Sequence, residues 1–94
     1  MNSVSLIRAD SRGVSTLLDE VSWETAFQEL CGAKPPRDAV YRILDKSTGE
    51  LALIVPSESL LCSRIERVQR LHKARKLYEL NVEHNVFCPS VEVV

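Results

Sequence analysis

Arg64, Arg67, Arg70, Lys73, Arg75 and Lys76 place six of the chain's twelve basic residues inside thirteen positions. Only Glu66 offsets them, so this stretch carries +5, the remaining residues carry −6, and the net charge is −1. Guanidinium and ammonium groups gathered this closely can grip phosphate oxygens or an acidic protein surface. No aromatic residue falls within residues 64–76, so the segment lacks the stacking platforms that single-strand binders use. The expectation is a small non-enzymatic regulatory protein that binds double-stranded RNA or DNA through phosphates, with little base preference. The alternative is a protein-binding adaptor or inhibitor whose basic helix docks on an acidic partner. A plain solvated face, partly neutralised by Asp19, Glu20, Glu24 and Glu29, is the reading both must beat.

Catalysis finds little support in the residue types. His72 and His84 are the only histidines. Cys62 lies ten residues before His72, about 15 Å along a helix axis, too far for a nucleophile and its base. His84 and Cys88 have a metal-compatible spacing, but Pro89 follows and no second ligand pair exists. Three scattered glycines cannot build a phosphate-binding loop. No catalytic residue, metal site or cofactor is expected. Cys31, Cys62 and Trp23 read as packing residues.

These side chains must be positioned by local structure. Val4 and Leu6 alternate with serines, which allows a short first strand. Val14, Leu17, Leu18 and Val21 recur at helical spacing and predict a first short helix. Ser22 reads as the N-cap of a second, with Trp23, Phe27, Leu30 and Cys31 on its inner face and Gly32 suited to a left-handed C-terminus before Pro35 and Pro36. From residue 40 the period drops to two. Tyr41 and Ile43 oppose Val40, Arg42 and Leu44, a turn opens at Asp45 and closes on Gly49, and a return strand runs to Pro56. Ser57 reads as the cap of a long helix reaching about His84, with Leu60, Leu61, Ile65, Val68, Leu71, Tyr78 and Val82 as its apolar stripe. Val91 to Val94 read as a strand-like tail. The predicted fold is α+β in a single domain spanning 1–94: two short N-terminal helices, a central β-hairpin, a long basic C-terminal helix and the tail.

Three widely spaced cysteines point to free thiols in a reducing, intracellular and most simply cytoplasmic setting. No stretch approaches a membrane span or a signal peptide. Leu77 and Leu80 fall off the apolar stripe. They predict a homodimer contact on the long helix, with the tail edge as a second candidate.

Residues 40–61 resemble the hairpin-to-helix segment of FlaG-type flagellar proteins in the Asp45-Lys46-Ser47-Thr48-Gly49-Glu50 turn, the strand ending at Pro56 and the acidic helix start. The rest of the chain departs from that family in its helical first third, its cysteines and its arginine-rich helix. The resemblance therefore transfers no functional residue.

Overall fold

Val4–Asp10 and Gly13–Val21 are strands β1 and β2, joined by the tight turn at Ser11 and Arg12. In this computed structural model, which describes residues 3–32, 34 and 37–84 (for 80–84 the backbone alone), α1 follows as Trp23–Gly32. Strands β3 (Val40–Asp45) and β4 (Glu50–Pro56) form a second hairpin, and a 3-10 turn (Ser57–Leu60) leads to α2 (Arg64–His84). The order is β-β-α-β-β-α. The predicted architecture of two N-terminal helices before a single hairpin is therefore corrected: the first predicted helix is the strand β2.

The helix-like spacing on β2 has a physical cause. β2 carries two irregularities against β1. Leu6 pairs with Leu18 and Ile7 with Thr16, which leaves Leu17 extra; a second shift lies between Leu18 and Val21, where Glu20 adopts φ 51°. Each bulge inserts one residue and breaks the two-residue alternation. Apolar residues at 14, 17, 18 and 21 thus acquire helical spacing while lying on a strand. Leu17, Leu18 and Val21 pack against the core.

The four strands form one antiparallel sheet in the order β2-β1-β3-β4. The hairpins meet through β1 and β3, with Leu6 opposite Ile43 and Arg8 opposite Tyr41. This arrangement repeats one ββα unit about the β1–β3 pair, a repetition of topology that the residues do not advertise. Both helices cover the same face. Val4, Leu6, Tyr41, Ile43, Leu53 and Val55 pack there with Trp23, Phe27 and Leu30 of α1 and Leu71, Ala74 and Tyr78 of α2. A bulge at Ala52, between the Ile43–Leu53 and Leu44–Leu51 pairs, turns both Ala52 and Leu53 inward.

The two hairpin turns share a device. Asp10 accepts the Arg12 N–H at 2.8 Å and Asp45 the Ser47 N–H at 2.9 Å. Gly13 and Gly49 close them at φ 127° and 73°, backbone states that favour glycine. Gly32, by contrast, stays inside α1 and is not left-handed. The predicted tail at residues 91–94 lies outside the described residues.

Candidate functional site

Where α2 begins decides which of its residues face out. Ser57 is not its cap. The Ser57 N–H donates to the Ala39 carbonyl at 2.9 Å and its hydroxyl to the Arg37 carbonyl at 2.7 Å, so this serine still belongs to the sheet connection. Residues 61–63 break the helical path, and Ser63 starts it again: its Oγ accepts the Glu66 N–H at 3.2 Å. The Ser63-Arg64-Ile65-Glu66 pattern has the serine-to-glutamate spacing of a capping box and is the signal in the sequence that marks this start. The break resets the helical phase. Leu60, Leu71 and Tyr78 of the predicted stripe are buried, whereas Leu61 is 67% exposed, Ile65 73% and Val68 38%. The side chain of Val82 lies outside the described residues.

Three of the six predicted contact cations turn toward the protein. Arg67 Nη1 donates to the Leu30 and Cys31 carbonyls, at 3.3 and 3.1 Å. These belong to the last turn of α1, which has no basic residue of its own there. A cation at that end satisfies open carbonyls and complements the helix dipole. Arg70 Nη1 donates to the Ser59 carbonyl at 2.9 Å, tying the 3-10 turn to α2. Arg75 sits 5.0 Å over the Trp23 ring and pairs with Glu24 at 3.7 Å and Glu79 at 3.3 Å. Of the acidic residues expected to neutralise the basic helix, Glu24 does so, while Asp19 pairs with Lys46 at 3.1 Å instead.

Arg64, Lys73 and Lys76 remain exposed and make no ion pair among the described residues. Beside Arg64 a groove of about 210 Å³ opens between α1 and α2, lined by Phe27, Cys31, Val68 and His72 together with Glu24, Gln28, Arg64 and Arg75. The His72 ring meets Phe27 edge-to-face, 5.5 Å between centres. Burial pushes the Cys31 thiol above its ordinary value and outweighs the opposing pull of Arg64 and Arg67, so this sulfur is not a thiolate at neutral pH. Cys62 donates to the Ser59 carbonyl.

Leu77 is 43% exposed on another side of α2, and the side chain of Leu80 lies outside the described residues. So do Cys88 and the side chain of His84, the spaced pair considered for a metal. Among the described residues no three His, Cys, Asp or Glu side chains gather as ligands, and no helix is long and apolar enough to cross a membrane. Comparison with known proteins found no matching family model, no similar curated protein and no similar solved structure.

Proposed function

We propose that this chain is a small non-enzymatic adaptor or inhibitor that docks a partner protein on the outer face of α2. The observation that carries the reading is the mixture on that face: exposed Ile65 and Val68 lie among the exposed cations Arg64, Lys73 and Lys76. Apolar side chains flanked by charge suit a protein surface, where they can be desolvated. A duplex offers them little but phosphate and water.

Nucleic acid is the second reading, favoured by the same three cations, which span about 18 Å of helix. Three phosphate contacts give a log-log salt slope of about −2.7, and six give about −5.4. Duplex binding at the steeper slope supports the nucleic-acid reading of the whole basic segment. Capture from lysate with and without nuclease, using wild type and an Ile65→Ser/Val68→Ser variant, separates the classes. Material that survives nuclease and is lost in the variant supports the adaptor. Complete loss on nuclease treatment overturns it.

The exposed Leu77 supports self-association as well. Leu77→Glu is expected to shift a homodimer to monomer in sedimentation; a wild type that is already monomeric at high concentration removes this contact from the proposal. Free thiols at Cys31 and Cys62 support a reducing intracellular setting.

A further inference from the structure

We infer that the occupant of the α1–α2 groove is an acidic amphipathic helix of a partner protein, an inference that rests on the docking reading above. Backbone chemistry selects the shape. The groove is walled by two helices whose main-chain groups are bonded internally, so an extended peptide finds no ladder to join. A segment docking there must satisfy its own backbone, which a helix does. Packing a third helix between two others is also ordinary ridge-and-groove geometry.

Side-chain placement selects the chemistry. At 100° per residue, Val68, His72 and Ile65 share one strip of α2, bracketed by Arg64 and Arg75 on one side and Lys76 on the other. Glu24 on the α1 wall and Glu79 at the C-terminal end of the strip both pair with Arg75, which leaves Arg64 and Lys76 as the cations open to a ligand. The groove volume of about 210 Å³ exceeds the ~150 Å³ that holds a benzene, so it accepts one large apolar anchor. Carboxylates beside that anchor would face Arg64 and Lys76. A second copy of α2 would bring those cations against their own kind, which disfavours self-pairing here.

The probe is a synthetic helical peptide of about 18 residues, apolar at i, i+3, i+4 and i+7 with glutamates on both flanks. Two controls have the same length: one with lysines for the glutamates, one with a central proline that prevents a helix. Trp23, the only tryptophan, meets the groove-lining Phe27 edge-to-face at 5.7 Å between ring centres and reports binding by fluorescence, with amide shifts mapping the site. The acidic helix is expected to bind, to shift Phe27, Val68 and His72, and to weaken about tenfold or more with Ile65→Ser/Val68→Ser, whose circular dichroism stays native. Arg64→Glu/Lys76→Glu should reverse the preference toward the lysine peptide. Equal binding of the proline peptide overturns the helix while leaving a protein partner standing. Shifts that map elsewhere, or no preference for glutamate, overturn the site. A wild-type dimer broken by Ile65→Ser assigns the groove to a second copy and also overturns it. Binding of duplex RNA alone, lost with Arg64→Glu/Lys76→Glu, overturns both this inference and the docking reading.

Discussion

The two ββα units make the same elements and use them differently. Each has a hairpin turn opened by an aspartate that accepts an N–H two residues on, and each has a helix capped by a serine, Ser22 bonding Thr25 and Ser63 bonding Glu66. In the first unit the helix follows its hairpin at once, is ten residues long, and keeps Trp23, Ala26, Phe27, Leu30 and Cys31 inside. In the second, residues 57–63 intervene and the helix runs for 21 residues. That added length buries Leu71, Ala74 and Tyr78 yet leaves Leu61, Ile65, Val68 and Leu77 in water. The first helix spends its large apolar residues on the core. The second also leaves several of them exposed.

The largest effect expected from this contrast is in apolar truncation. Leu30→Ala, in the fully buried α1 position, should lose about 2–5 kcal/mol in urea unfolding. Ile65→Ala should change stability by no more than about 0.5 kcal/mol. Similar costs at both sites would erase the distinction between the units.

Next come the arginines. Arg67→Met leaves the Leu30 and Cys31 carbonyls without that donor and should cost about 1–3 kcal/mol, whereas Arg64→Met should be near neutral. If both substitutions are silent, Arg67 does not hold α1 to α2.

Asp45 sharpens the comparison through pH. Burial raises its carboxyl, but hydrogen bonds from the Ser47 hydroxyl and N–H, the Tyr78 hydroxyl and the Thr48 N–H outweigh this, and the net direction is below the ordinary value of 3.8. Depression in the fold means the stabilisation is full above that ordinary value and is lost as pH falls through the folded one. Asp45→Asn should cost roughly 1.5 kcal/mol at pH 7. The gap from wild type should shrink in acid; a gap independent of pH would show that the carboxylate charge is not what Tyr78 and Ser47 recognise.

The smallest effect concerns the helix start. Ser63→Ala should remove about 1 kcal/mol and some helical ellipticity through the lost cap. Equal loss of ellipticity from Ser57→Ala would return the start of α2 to the position read from the sequence.

How far residues disclosed structure depended on how local their signals were. The second hairpin was legible because alternation on residues 40–44 and the Asp45–Gly49 turn agree. α1 was legible because Ser22 precedes Trp23, Phe27 and Leu30 at helical spacing. β2 was not, since its bulges disguise a strand as a helix and only pairing with β1 reveals them. The outward arginines were half legible. A guanidinium on a long stem can serve solvent or a neighbouring carbonyl, and the partners of Arg67 lie 36 and 37 residues away. No pattern within α2 announces that distance.

Arg67 also imposes an order on synthesis. In synthesis order the carbonyls of Leu30 and Cys31 come 37 and 36 residues before the guanidinium that bonds them. The strand that pairs with β1 at the sheet centre is likewise still to come. A released fragment that ends between the hairpins thus holds a helix with an open end and a sheet with an open edge, both exposed to other chains. The first unit is translated first and finished last.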